Sequence, residues 1–158
     1  MDEQKEARYF EKTLEIAREA MEKGHDPFGS ILVDDRGEIL MEQRNDVGSG
    51  DPTRHDTNTL ISRAALAYPP EFLWTCTVYA AMEPCCMCTG SAFWANIGHI
   101  KYLMSEHHLG ELTGGGGLDL PSTEVVAHGS KDIQIEGPYE PLLPEMEDLM
   151  REWIKSWG

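Results

Sequence analysis

Basic residues are scarce in this chain: 13 Lys and Arg stand against 28 Asp and Glu, giving a formal net charge of -15 over 158 residues. Sequence-independent nucleic-acid affinity comes from Lys and Arg neutralising phosphates, so the deficit argues against a DNA or long-RNA substrate. Long apolar runs are missing too. No stretch reaches the roughly 18 apolar residues that a membrane-spanning helix needs. The start, Met1-Asp2-Glu3-Gln4-Lys5-Glu6, lacks the basic-then-apolar pattern of a secretory leader. The expectation is a cytoplasmic protein with no membrane partner. Cysteine is limited to four residues, three of them crowded between positions 85 and 88. That spacing does not suit a disulfide framework and points to metal or redox chemistry. Gly114-Gly115-Gly116-Gly117 is not followed by Gly-Lys-Ser/Thr, so it carries no phosphate-loop signature.

What is present suffices for one core. Hydrophobic residues make up 41% of the chain, and the length fits a single domain over 1–158. Residues 2–23 read as an amphipathic helix, with Phe10, Leu14, Ala17 and Met21 at helical spacing and Gly24 as a stop. A hairpin follows, with strands at 28–34 and 38–44 around Asp35-Arg36-Gly37. Residues 45–54 are turn-rich. Helical spacing returns over 55–68 and ends at Pro69-Pro70. A strand at 75–81, a helix at 85–94 and a strand at 99–104 come next. Short strands are expected at 125–127 and 133–136, with His107-His108 on the loop that precedes them. An amphipathic helix over 144–157 closes the chain. Strands alternating with helices predict an α/β layered sandwich.

The chemistry concentrates at Pro84-Cys85-Cys86-Met87-Cys88 and at His55. Two thiolates and an imidazole suit zinc. A Cys opening a helix gains from the macrodipole, which favours thiolate, and Cys88 shares a face with Cys85. Cys86 points elsewhere. His55 opens its own helix, so two helix starts facing each other supply three ligands. Three protein ligands leave a fourth position, where a zinc-bound water can be acidified and attack an electrophilic carbon. A redox dithiol is the rival reading of Cys-x-x-Cys.

At these residues the chain resembles the cytidine-deaminase-like zinc superfamily, and within it the guanine deaminase and tRNA adenosine deaminase branch. The likeness runs through Pro27-Phe28-Gly29-Ser30, Asp51-Pro52-Thr53-Arg54-His55, Met82-Glu83-Pro84-Cys85-Cys86-Met87-Cys88 and Ser91-Ala92-Phe93-Trp94-Ala95-Asn96-Ile97. The resemblance implies a three-layer α/β/α sandwich around a mixed five-stranded sheet, in a homodimer. It implies Zn2+ as cofactor, held by His55, Cys85 and Cys88. It implies that Asn45, Phe28 and Trp94 contact a small amino-substituted heterocycle, a purine-type base or nucleoside first, with pterin or triazine also open. For Asn45 a turn-capping role is the alternative; for the aromatics, ordinary core.

One position departs from the pattern. The superfamily motif is His-x-Glu, and here it reads His55-Asp56-Thr57. Threonine does not exchange protons near neutral pH, although it can hydrogen-bond a water or a substrate. Asp56 is the first substitute, although it points about 100° away from Thr57 on a regular helix. Glu83 and Glu106 are the others. Two further readings stay open: a deaminase-like ligand-binding or partner subunit that keeps zinc without turnover, and related hydrolysis of a substrate needing less acid assistance.

Overall fold

Ile31 and Val33 of β1 (Gly29–Val33) pack into one core and Leu32 into another, all three buried. Successive strand side chains point to opposite faces, so a strand buried on both sides must be covered by helices on both sides. The computed structural model describes residues 2–157 and shows that arrangement. On one face lie α1 (Glu3–Glu22) and α7 (Leu143–Lys155), which bury Phe10, Leu14, Ala17, Met146 and Leu149 against Ile31, Tyr79 and Leu103. On the other lie α2 (Asp56–Ala67) and α4 (Cys86–Ala95), with Leu60, Ile61, Ala64 and Ala92 against Leu32, Val78 and Ile100.

The sheet has the order β2-β1-β3-β4-β5, with β2 (Ile39–Arg44), β3 (Thr77–Met82), β4 (His99–Met104) and β5 (Gln134–Glu136). β1 pairs antiparallel with β2 and β3, while β3–β4 and β4–β5 are parallel. This is the mixed five-stranded sheet in a three-layer sandwich. Among the described residues no helix is long and apolar enough to cross a membrane.

Two expectations fail after β4. Residues 125–127, expected as a strand, belong to the helix α6 (Ser122–Ala127). The β preference of Val125-Val126 is a weak, context-dependent bias. Here Pro121 stands in extended geometry just before the helix, and Ser122 at its first position is tied to Glu83. His107-His108, expected on a loop, lies in α5 (Glu106–Thr113). Its caps were visible in the chain: Ser105 Oγ accepts from His108 N at 3.0 Å, and Gly114 takes φ 84° at the end. The stop at Pro69-Pro70 is real, but a four-residue helix α3 (Pro70–Leu73) follows at once.

Candidate metal centre and adjoining cavity

β3 ends at Met82, and the Glu83 N–H donates to Met104 O at 2.8 Å, which extends the β3–β4 register one residue further. Pro84 breaks the strand, and Cys85 becomes the N-cap of α4 in extended geometry. Thr89 Oγ1 donates back to Pro84 O at 3.0 Å and fixes that turn. Opposite, Asp51 Oδ1 accepts from Thr53 N and Oγ1 at 2.9 and 2.7 Å, shaping the bend that delivers His55 as the N-cap of α2. Ser91 Oγ donates to Asn58 Oδ1 and ties α2 to α4.

The two helix starts bring three donor atoms together. Cys85 Sγ lies 3.6 Å from His55 Nδ1 and 3.7 Å from Cys88 Sγ, and Cys88 Sγ lies 3.7 Å from His55 Nδ1. With zinc bonds of about 2.3 Å to sulfur and about 2.0–2.1 Å to nitrogen, a tetrahedral site has S···S edges of about 3.8 Å and S···N edges of about 3.6 Å. The triangle therefore fits zinc without rearrangement. It is the one such group of His, Cys, Asp and Glu among the described residues. The hydrogen bond shared with Cys88, helped by the His55 ring, lowers the Cys85 thiol pKa. The Cys85 sulfur and burial push Cys88 up. His55 is raised, chiefly by its hydrogen bond with Cys85.

His55 and Cys85 face a cavity of about 520 Å³ whose lining contains no Lys or Arg. Phe28 and Asn45 line it. The Asn45 side chain also caps a turn, since Oδ1 accepts from Val47 N at 3.1 Å. Trp94 requires a correction. It is 82% exposed and lines a separate cleft beside Leu66 between α2 and α4. Nine residues at 3.6 per turn carry it roughly 180° around the helix from Cys85.

The cavity has walls that were not anticipated. α7 contributes Trp153 and the turn just after it Trp157, their rings edge to face at 4.9 Å, with Phe28 edge-on to Trp153 at 5.5 Å. Their spacing of four residues marked one helix face, but nothing local said that it reaches the metal. Asp26 is the other addition; burial raises its pKa.

A smaller cavity of about 60 Å³ abuts the triad and is lined by Asp56, Thr57 and Glu83 among others. Thr57 Oγ1 donates to Asp56 Oδ2 at 3.2 Å, and burial pushes the Asp56 carboxyl up to about 6. Glu83 is 4% exposed and its carboxylate is fully engaged. Oε1 accepts from Glu106 N at 3.0 Å, and Oε2 accepts from Ser122 N and Oγ at 2.8 and 2.6 Å. Burial, then the nearby Cys85 and Glu83 charges, push Glu106 up to about 7. The His107 and His108 rings pair separately, with Asp119 and Glu147, each at 3.3 Å.

The profile of the cytidine and deoxycytidylate deaminase zinc-binding region matches residues 3–104. A probable cytosine deaminase of Schizosaccharomyces pombe is 30% identical over 148 residues, 89% of this chain and 90% of that protein. A tRNA-specific adenosine deaminase of Aquifex aeolicus is 30% identical over 151 residues, covering 94% of this chain and 93% of the relative. The structure of a guanine deaminase from Nitrosomonas europaea superposes with a TM-score of 0.73 at 18% identity, over 93% of this chain and 83% of that one.

Proposed function

Because the chain belongs to the cytidine and deoxycytidylate deaminase zinc-binding family, we propose that it is a single-domain hydrolase that removes the amino group of a small, unphosphorylated heterocycle, a purine-type base first. The observation that carries this is the His55–Cys85–Cys88 triangle bordering a 520 Å³ cavity with aromatic walls and acidic polar groups. That volume suits a small planar molecule. Phe28, Trp153 and Trp157 offer it ring faces and edges. Asp26 and Glu106 offer acceptors to its N–H groups, and a phosphate would meet carboxylates with no lysine or arginine beside them. The relatives carry names for cytosine, guanine and tRNA adenosine deamination. The acidic chain fits a free base better than a tRNA.

Zinc, when bound by His55, Cys85 and Cys88, supplies a Lewis acid that activates a water for attack on the amine-bearing carbon. The protein's own groups do the rest. Asn45 and the aromatic walls orient the ring, closure of α7 over the cavity limits bulk water, and a carboxylate at the triad moves the protons. Glu83 serves here as a brace and not as an acid, because three hydrogen bonds already hold its oxygens. Pterins and triazines share the donor pattern and belong in the same test. We place the expected homodimer contact at the cleft where Trp94 and Leu66 stand exposed.

A second reading has an observation of its own. Thr57 is 2% exposed, with its hydroxyl tied to Asp56, so no carboxylate stands where the family motif has one. A zinc-bearing partner subunit without turnover fits that substitution. It predicts stable co-purification with a Glu-bearing homologue. The deciding experiment is ammonia release from bases, nucleosides, pterins and triazines, using protein shown to hold one zinc. Release from a free base supports the enzyme; zinc-loaded protein that neither releases ammonia from any member nor hydrates an amine-free analogue of the ring overturns it.

A further inference from the structure

Hydrolysis at an amine-bearing ring carbon must move two protons. The water oxygen bonds to carbon and the C–N bond breaks. One water proton ends on the ring nitrogen, and the other leaves with the amine as ammonia. Some side chain must therefore reach both the attacking water beside the triad and the ring in the larger cavity.

We propose that this side chain is Glu106, at the start of α5. The inference rests on the deaminase reading above. Four carboxylates border the two cavities, and Glu106 alone among them lines both. Asp56 and Glu83 border only the small cavity at the triad, and Asp26 only the large one. Geometry also separates them by engagement. Glu83 is occupied by three donors, and Asp56 is 6% exposed with Thr57 Oγ1 on Oδ2. Among the described residues no hydrogen bond or ion pair holds the Glu106 carboxylate, whereas its backbone is anchored: its N–H donates to Glu83 Oε1 at 3.0 Å. The residue is thus fixed at its root and uncommitted at its tip. A Cβ added at Gly117 would stand 3.5 Å from Glu106 Oε2, so the glycine loop lies beside the carboxylate without a side chain of its own there.

In this assignment Glu106 accepts the first water proton as the C–O bond forms and returns it to the ring nitrogen. It then accepts the second and hands it to the departing amine. The carboxylate ends as it began, and no oxidant or reductant is needed.

The test uses the full-length zinc-loaded protein and two variants, Glu106→Gln and Asp56→Asn, with zinc content measured on each. Two readouts run together. One is ammonia release from the amine panel. The other is the ultraviolet change as purine or pyrimidin-2-one, which lack the amino group, add water across a ring C=N bond. The second needs proton transfer but no leaving group. General acid–base groups are typically worth about 10²–10⁴-fold. Glu106→Gln should keep its zinc, bind both probes, and lower both rates by about 100-fold or more. Asp56→Asn should lower them by less than about 10-fold. Probe hydration without ammonia release, lost in Glu106→Gln, still supports the assignment and places the failure in the choice of amines. Undiminished rates in Glu106→Gln, or the larger loss in Asp56→Asn, overturn the assignment and leave the deaminase reading standing. Wild-type protein that neither deaminates nor hydrates overturns the deaminase reading, and this assignment with it.

Discussion

Glu83 Oε1 accepts the backbone N–H of Glu106 at 3.0 Å, across 23 residues of chain. Its other oxygen holds Ser122 at the start of α6. One buried carboxylate beside the metal ligands therefore fixes both ends of the segment that walls the cavity. Hydrogen bonds to a charged acceptor contribute about 1.5–3 kcal/mol each, and the donors would be stranded without it.

Glu83→Ala should consequently destabilise the protein by about 2–4 kcal/mol in denaturant unfolding. Hydrogen exchange at the Glu106 amide should quicken more than exchange in β3. Unchanged protection at Glu106 would show that α5 is held by other contacts.

In the metal-free protein, Glu106 is raised from 4.5 to about 7, mainly by burial. The folded state then binds the proton more tightly than the unfolded one. The penalty is absent well below pH 4.5, accumulates as pH rises towards 7, and stays constant above. Glu106→Gln should raise Tm at pH 8 relative to wild type and leave it nearly unchanged at pH 4. Zinc, by favouring the carboxylate, should shrink the difference. Equal Tm values at pH 8 without metal would contradict the burial of this group.

Trp157 is 55% exposed and its ring meets Trp153 at the cavity wall. Trp157→Ala should change stability by less than about 1 kcal/mol. It should weaken binding of a planar base by about 1–3 kcal/mol, the usual value of aromatic–base stacking. Calorimetric titration with guanine and cytosine reads it; unaltered affinity for every base that binds would remove α7 from the substrate wall.

His55→Ala and Cys88→Ser should each reduce bound zinc from one per chain to a small fraction, measured by atomic emission. Chelation of the wild type should lower Tm, because binding to the folded state alone adds stability. Stoichiometric zinc in both variants would place the metal elsewhere.

Trp94→Glu puts a charge in the exposed cleft beside Leu66. Light scattering should show a dimer for wild type and a monomer for the variant, with zinc retained. A variant that remains dimeric would move the interface to another face.

The chain by itself determined the layers and the metal. Those rest on local patterns: the apolar run Ile31-Leu32-Val33 in β1, helical spacing in α1 and α2, Pro84 before Cys85, and His55 at a helix start. Each can be read from a few neighbouring residues. α5 is nearly as legible, from Ser105 and Gly114 at its ends. Only the tertiary structure decided what surrounds the metal. Glu83 neighbours Cys85 in sequence, and only the fold shows its oxygens accepting from the starts of α5 and α6. Trp94 follows the Cys pair on the same helix and faces away. Glu106 follows β4, Asp26 precedes β1, and Trp153 and Trp157 stand in and just after α7, so only the packing of these elements brings them to one cavity. The physical reason is range: hydrogen-bonding and burial patterns repeat within a turn or a strand, whereas a cavity is built by contacts whose sequence separation no local pattern records.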